Sequence, residues 1–242
     1  MNNPMDFDQK NIILQAWKLY AKPAIIAMYE AAFAQYGYDV RSIFWPKGRQ
    51  RIRFRILTEL GIRDGDRVLD VGCGLGHLYE FLQRENIKVQ YTGIDIVESL
   101  VQAAQNVHPH GRFLVGDIIC ENLDERWDYV VFSGTCNVIP TGFSREMQWQ
   151  FVQIMLTRML ELSKKGVAAD FQSSYVDFQQ AEAFHVDPAD IFRFCKTLSR
   201  RIVLRHDYMP YEFAVYLYKD DALTTNNVFK DFAPYVNWYT EE

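Results

Sequence analysis

The first 60 residues of the chain carry apolar positions at helical spacing. Residues 11–20 and 24–36 show this period, with Pro23 between the two segments and Gly37 after the second. Residues 50–60 form a third segment of the same kind, followed by a glycine. The pattern predicts three N-terminal helices, with the first two separated at Pro23.

From Arg67 onward, short apolar runs alternate with longer segments of helical period. This alternation is typical of βαβ units and of a parallel sheet. The runs predict strands at 68–71, 89–94, 113–115, 127–132 and 167–171, and helices at 76–85, 97–106, 144–162 and 187–198. Ser144 and Asp187 are suited to cap the last two helices, and Gly166 to mark the exit from the helix at 144–162.

The last two apolar runs lie close together in the sequence. Residues 202–205 and 213–218 are separated only by residues 206–212, which include Pro210. A parallel crossover needs a dozen or more residues, so these two strands must pair antiparallel. The sequence therefore predicts an α/β sheet that ends in an antiparallel hairpin, followed by a polar tail.

The composition and the net charge exclude several classes of protein. The 242 residues are 49% apolar and 24% charged, as in a globular protein, and carry a net charge of −5, which disfavours a nucleic-acid partner. The longest apolar stretch, residues 24–34, is too short to span a bilayer and contains Glu30. The first ten residues lack the pattern of a signal peptide, and the four cysteines contain no C-x-x-C pair that would start a metal site. We expect reduced thiols, a cytoplasmic location, no metal and no membrane contact.

The strongest local motif is a glycine-rich turn after the first predicted strand, formed by Gly72, Cys73 and Gly74. Glycine permits the tight turn and lets a ligand approach the amides at the start of the next helix. A dinucleotide fingerprint needs its third glycine at position 77, where this chain has His77, and Gly76 comes one residue early. The turn therefore favours a nucleoside ligand over a pyrophosphate.

Polar residues follow the next three predicted strands. Asp95 ends the second strand, where a carboxylate can accept hydrogen bonds from ribose hydroxyls. After the third strand, the Asp117 carboxylate can accept from an exocyclic amine, and the Ile118 amide can donate to a ring nitrogen. The small polar loop 133–137, which begins with Ser133, follows the fourth strand and suits an amino acid moiety. Together these positions predict an adenosine site.

These motifs resemble, in order, those of class I S-adenosylmethionine (SAM) dependent methyltransferases over about residues 67–219. The resemblance implies a Rossmann-like fold with a seven-stranded, mainly parallel sheet, and SAM as the cofactor. It divides the one structural domain into a helical lid or substrate cap (1–61), a SAM-binding part (62–220) and a tail (221–242). It places Gly72, Cys73 and Gly74 at the methionine part, Asp95 and Ile96 at the ribose, Asp117 and Ile118 at the adenine, and Ser133 beside the sulfonium.

Methyl transfer is an in-line displacement that depends mainly on positioning and exclusion of water. We expect a small-metabolite acceptor, bound by the N-terminal helices, the loop after the fourth strand and residues 172–185. The aromatic residues in these parts are Trp17, Tyr20, Tyr29, Trp45, Phe132, Tyr175, Phe178 and Phe184. We expect Trp17, Tyr29 and Trp45 to be core residues. Gln50 and Arg53 are the candidates for binding an acceptor carboxylate.

A second interpretation comes from residues 133–137, 172–175 and 206–213. They resemble a branch of bacterial methyltransferase-like enzymes of secondary metabolism that cyclise SAM to azetidine-2-carboxylate and methylthioadenosine. In that chemistry Asn137 would hold the amine, while Phe132 and Tyr175 would shield the sulfonium; these three residues are the catalytic candidates. Methyl transfer is favoured as the commoner outcome of the fold. A SAM-binding protein without catalysis is the third alternative. We expect a monomer or homodimer.

Overall fold

The structure is a computed structural model that describes residues 6–45 and 48–219, so the tail predicted at 221–242 lies outside the described residues. The N-terminal part contains α1 (Phe7–Ala16), a π-helical turn (Trp17–Ala21), α2 (Lys22–Tyr36), a 3-10 turn (Val40–Ile43) and α3 (Gln50–Thr58). The remaining elements are β1 (Arg67–Val71), α4 (His77–Arg84), β2 (Gln90–Asp95), α5 (Glu98–Val107), β3 (Arg112–Val115), β4 (Trp127–Phe132), α6 (Arg145–Leu162), β5 (Ser163–Ser173), β6 (His185–Val186), α7 (Pro188–Leu198), β7 (Arg201–Met209) and β8 (Glu212–Tyr218).

The strands form one sheet in the order β3-β2-β1-β4-β5-β8-β7. β1 to β5 run parallel to one another, and β8 is antiparallel to both of its neighbours, β5 and β7. The predicted Rossmann-like fold with its C-terminal hairpin is confirmed. The two-residue strand β6, which pairs with β5, is an addition that the sequence pattern did not predict.

Helices cover both faces of the sheet. Neighbouring residues of a strand point to opposite faces. Leu69 and Val130 accordingly lie in one apolar cluster with α6, whereas Val68 and Val131 lie in a second cluster with α3 and α4. All four are fully buried. Burial of each such side chain stabilises the fold by about 1.5–3 kcal/mol relative to exposure. The clusters hold the carboxyl ends of the parallel strands in fixed positions.

The predicted separation of the first two helices at Pro23 is wrong. Residues 7–36 form one continuous helical segment, in which the π turn Trp17–Ala21 joins α1 to α2. In this turn the Lys22 amide donates to the Trp17 carbonyl, five residues back. Pro23 sits at the first positions of α2, directly after the wider turn. Proline has no amide to donate, so the start of α2 tolerates it where a helix interior would not.

Two further expectations are corrected. Gly166 does not mark a helix exit but lies within β5, where a Cβ would come 2.7 Å from the Leu217 carbonyl oxygen of β8. β7 extends to Met209, so the hairpin turn is much shorter than the predicted connection 206–212.

Among the described residues, no helix is long and apolar enough to cross a membrane.

Candidate functional site

A cavity lies at the carboxyl ends of β1 to β4, beneath the N-terminal helical segment. Its lining comes from the glycine turn after β1, the ends of β2 and β3, the loop after β4, and α2, α3 and α6. Carboxyl ends of parallel strands are where open α/β sheets bind their ligands. The cavity is therefore the candidate functional site.

The glycine turn forms the floor of the cavity. Gly72 and Gly74 have φ values of +72° and +51°, which residues with a Cβ rarely adopt. A Cβ at Gly72 would come 2.6 Å from the Thr135 hydroxyl oxygen, and that hydroxyl donates to the Val71 carbonyl at 2.8 Å. The turn after β1 and the loop after β4 are thus packed against each other without space for a side chain at Gly72.

Asp95 fixes the turn and keeps acceptor capacity for a ligand. Its carboxylate accepts from the Gly74 amide at 2.8 Å and from the Val97 amide at 2.9 Å, one bond to each oxygen. Burial raises the pKa of this carboxyl. A carboxylate has about four acceptor positions. Asp95 lines the cavity, so the positions that remain are available to hydroxyl groups of a bound ligand.

Asp117, at the end of β3, is engaged by the N-terminal helical segment. One carboxylate oxygen accepts from the Trp17 indole at 2.8 Å and from Lys22 at 3.0 Å, and the other accepts from the Ile119 amide at 2.9 Å. Burial acts to raise the pKa of Asp117, but the bonds from Trp17 and Lys22 outweigh it and the pKa is lowered. The sequence predicted an exocyclic amine as the partner of Asp117. In the structure the protein's own donors occupy both oxygens.

The cavity is electrostatically suited to a cation. Asp70 lines it, and burial together with the charges of Asp95 and Asp170 raises the pKa of Asp70 to about 7, although Tyr91 donates to it at 2.7 Å. Burial likewise raises the pKa of Asp170 to about 6. A positive ligand relieves the repulsion between these carboxylates. SAM carries a sulfonium and an ammonium group, so the residues present fit SAM.

Several residues that line the cavity were not singled out from the sequence. Asp70 lies within an apolar strand, and Gln148 lies on α6, with its Nε2 donating to the Cys136 carbonyl at 3.0 Å. The Gln148 Oε1 is buried and has no hydrogen-bond partner among the described residues. His77, considered in the sequence only as the residue at the third-glycine position, also lines the cavity. Its Nδ1 lies 3.1 Å from the Gln50 side-chain oxygen, and burial lowers the pKa of His77.

The structure separates the predicted site residues into two groups. The predicted cofactor-binding residues all line one cavity: Gly72, Cys73, Gly74, Asp95, Ile96, Asp117, Ile118 and Ser133. None of the three catalytic candidates is among the described residues that line it. Phe132 is fully buried against Phe171, Asn137 accepts from the Gln172 amide at 3.3 Å, and Tyr175 is 64% exposed.

The candidates for the acceptor side also fall into two groups, those that line the cavity and those that do not. Trp17 is buried in the core, as expected, and it also lines the cavity. Tyr29 and Trp45, also expected as core residues, are partly buried and line the cavity, as does Gln50. Tyr20 and Phe178 are exposed, and Phe184 is buried in the core. Arg53 is paired with Glu212 and stacks on Trp45, with its guanidinium carbon 3.7 Å from the ring centroid. Its charge is therefore already neutralised by the protein.

Comparisons with known proteins agree with this geometry. Residues 62–169 match a family model described as a methyltransferase domain. The Mycobacterium tuberculosis protein Rv1506c, named as a methyltransferase, is 32% identical over 154 residues, which are 62% of this chain and 91% of that protein. A SAM-dependent Diels-Alderase of Talaromyces variabilis, iccD, is 27% identical over 103 residues, covering 40% of this chain and 35% of that protein.

Solved structures share the fold. The magnesium protoporphyrin IX methyltransferase of Synechocystis, crystallised with bound SAM, superposes with a TM-score of 0.55 at 17% identity, covering 90% of this chain and 99% of that chain. The family model and the mycobacterial relative extend this likeness from the fold to the sequence. The chain belongs to the class I SAM-dependent methyltransferase superfamily and is a SAM-dependent transferase.

Proposed function

We propose that this methyltransferase transfers the SAM methyl group in line to a small molecule. The observation that carries the proposal is the two-part lining of a single cavity. One part is the glycine turn with Asp95, and the other is apolar and aromatic, formed by Tyr29, Ile43, Trp45 and Phe54. The second part is contributed by α2, by the 3-10 turn and the loop after it, and by α3. Such a concave, largely apolar lining suits a small molecule.

For the donor, we propose that Gly72, Cys73 and Gly74 hold the methionine part and that Asp95 and Ile96 hold the ribose. Ile118 packs against the adenine in this arrangement. The SAM supplies an activated methyl group, and the protein orients it, excludes water and surrounds it with negative charge. Asp117 contributes indirectly, because its bonds to Trp17 and Lys22 hold the N-terminal helical segment over the cavity at the end of β3.

For the acceptor, we propose a planar compound with a hydroxyl or amine group. Trp45 and Tyr29 offer aromatic surface, and the Gln50–His77 pair offers a polar contact at the same end of the cavity. Since Arg53 is paired with Glu212, its guanidinium is not free to bind an acceptor carboxylate. This argues against a carboxylate as the main determinant of binding.

The first test is mass spectrometry of the purified protein with SAM alone, against an enzyme-free control that measures spontaneous decay. We expect SAM to stay intact. Enzyme-dependent methylthioadenosine together with azetidine-2-carboxylate would contradict methyl transfer and identify the cyclisation chemistry that the sequence also suggested.

The second test adds aromatic alcohols, aromatic amines and carboxylate metabolites, and measures release of S-adenosylhomocysteine with a methylated product. We expect turnover with one of the first two classes. The same mixtures with the Gly72→Val variant are the control, because a Cβ at Gly72 would meet Thr135 and block the floor of the cavity. Release that persists in this variant would come from a contaminant.

A further inference from the structure

A buried carboxylate lies directly behind the cavity, connected to it through one hydroxyl group. Ser133 follows β4 and lines the cavity, and its hydroxyl donates to the Asp170 carboxylate at 2.6 Å. The other carboxylate oxygen of Asp170 accepts from the Gly134 amide at 2.6 Å. Asp170 lies on β5, is 1% exposed, and is not among the described residues that line the cavity. The Ser133 hydroxyl thus stands between the cavity and Asp170.

The charges around Asp170 leave it without full neutralisation. Arg53 of α3 is near enough to lower the pKa of Asp170, but the guanidinium is bonded through two nitrogens to Glu212 of β8. One positive charge therefore faces two carboxylates. The other titratable groups that sense the Asp170 charge are Asp70 of β1, Cys136 after β4 and Tyr208 of β7. The Tyr208 hydroxyl is buried without a hydrogen-bond partner among the described residues.

Burial is the largest influence on Asp170, and it raises the pKa of the carboxyl to about 6. An ordinary carboxylate, with a pKa near 4, is a weak base at neutral pH. A base is most effective when its pKa lies close to the working pH. Asp170 is thus ionised at neutral pH and can take up a proton more readily than an exposed aspartate.

Methyl transfer to a hydroxyl or amine releases one proton, and this proton must leave the acceptor. We propose that Ser133 and Asp170 form the relay that removes it, Ser133 by contact with the acceptor and Asp170 as the positioning residue behind it. The inference rests on the proposed methyl transfer to a protic acceptor.

The acceptor donates its proton to the Ser133 oxygen while the Ser133 proton moves to Asp170. The acceptor lone pair forms the new bond to the methyl carbon, and the electron pair of the broken carbon–sulfur bond stays on sulfur. The products are the methylated acceptor, S-adenosylhomocysteine and a protonated Asp170, which returns its proton to solvent after product release.

The kinetic test uses the acceptor found in the screen above. We expect Ser133→Ala to lower kcat by about 100-fold, the size of a general-base contribution, while the Kd for SAM changes less than about twofold. The variant also loses the acidic limb of the pH profile, which reflects ionisation of Asp170. Ser133→Thr, which keeps the hydroxyl, restores most of the rate. Ser163→Ala is the matched control. Ser163 is the first residue of β5, and its hydroxyl donates to the Leu160 carbonyl of α6. Wild-type rates and pH profile in Ser133→Ala would overturn the relay.

A second measurement needs no acceptor. Carboxyl-carbon NMR of the protein labelled at its aspartates, with Asp170→Asn to assign the signal, should show Asp170 titrating near pH 6. Because the Ser133 bond lowers this pKa, Ser133→Ala should raise it. An Asp170 signal that stays constant between about pH 5 and pH 8 would overturn the relay whatever the kinetics. If no acceptor is methylated but Asp170 titrates, the failure lies in the proposed methyl transfer, and the relay falls with it.

Discussion

Asp95 connects the glycine turn to the second strand, and its remaining lone pairs face the cavity. Asp95→Ala removes both the bond to the glycine turn and the acceptors that face the cavity, whereas Asp95→Asn keeps one oxygen acceptor. We expect Asp95→Ala to weaken SAM binding by at least about 30-fold, because about two hydrogen bonds to a charged group are lost. Isothermal titration calorimetry measures the change. Asp64→Ala is the control, since Asp64 accepts only the exposed Lys88 amide among the described bonds. Unchanged affinity in Asp95→Ala would remove Asp95 from the ribose site.

Arg53 links α3 to β8 through its side chain. It is 3% exposed, stacks on Trp45 and is bonded to Glu212. Arg53→Met leaves the Glu212 charge without its partner, so we expect the free energy of unfolding to fall by about 3 kcal/mol, measured by urea denaturation. The double variant with Glu212→Gln should recover most of the loss. Arg51→Met, at the exposed pair with Glu85, should cost much less, because solvent screens that pair. A loss in Arg53→Met no larger than this control would contradict the prediction.

The polar residues of the site were most readily predicted where a strand ended. Asp95 and Asp117 could be recognised because each follows an apolar run, at the edge where ligands bind. Asp70 and Asp170 lie inside such runs, and the sequence does not say which buried carboxylates face a cavity. Tyr175 was chosen by resemblance to a related branch, and the exposure of its side chain depends on the path of a loop, which no local pattern encodes.

At the scale of elements, the N-terminal helical segment is held over the cavity by the Trp17 indole. Trp17→Phe keeps the stacking on Phe151, whose ring centroid lies 4.4 Å away, but removes the bond to Asp117. Loss of one hydrogen bond to a charged group costs about 1.5–3 kcal/mol. We expect amide hydrogen exchange in α1 to become at least about tenfold faster, while the strands β1 and β4 keep their protection. Equal exchange in both proteins would show that this bond does not hold the segment.

Strands and the hairpin were predicted well because apolar runs and short connections restrict the topology. The parallel direction of β1 to β5 follows from the alternation of strands with helices, and the antiparallel pairing of β8 from its short distance to β7. The order of the strands in the sheet is not encoded in this pattern. The break at Pro23 was predicted wrongly because proline usually interrupts an α-helix, and a π turn that accommodates it leaves no mark in the apolar period. β6 has two residues and no periodicity at all.

At the scale of the whole molecule, buried carboxylates couple folding and binding to pH. The pKa values of Asp70 and Asp170 are raised to about 7 and about 6, so each favours the folded state in its protonated form. This contribution is complete below the unfolded pKa near 4 and is lost as the pH rises through 6 and 7. We expect the Tm of the ligand-free protein to fall by several degrees, on the order of 5 °C, between pH 5 and pH 8. Thermal unfolding followed by circular dichroism measures it.

Ligands should change this dependence according to their charge. The sulfonium of SAM favours the ionised carboxylates. Stabilisation of the fold by SAM should therefore increase with pH more than stabilisation by S-adenosylhomocysteine, whose sulfur is uncharged. Asp70→Asn should flatten the Tm profile of the ligand-free protein. Parallel pH profiles for the two ligands would contradict a role for the buried charges in recognising SAM.

The π turn at Trp17–Ala21 has a consequence for how related chains diverge. An α-helix advances about 100° per residue, so one residue fewer at this point would turn everything before it by that angle. A single-codon deletion or insertion would thus replace Trp17 as the side chain that meets Asp117, while the sheet and the glycine turn stayed unchanged. The turn is therefore a place where one insertion or deletion would change the side chains that cover the cavity without altering its floor.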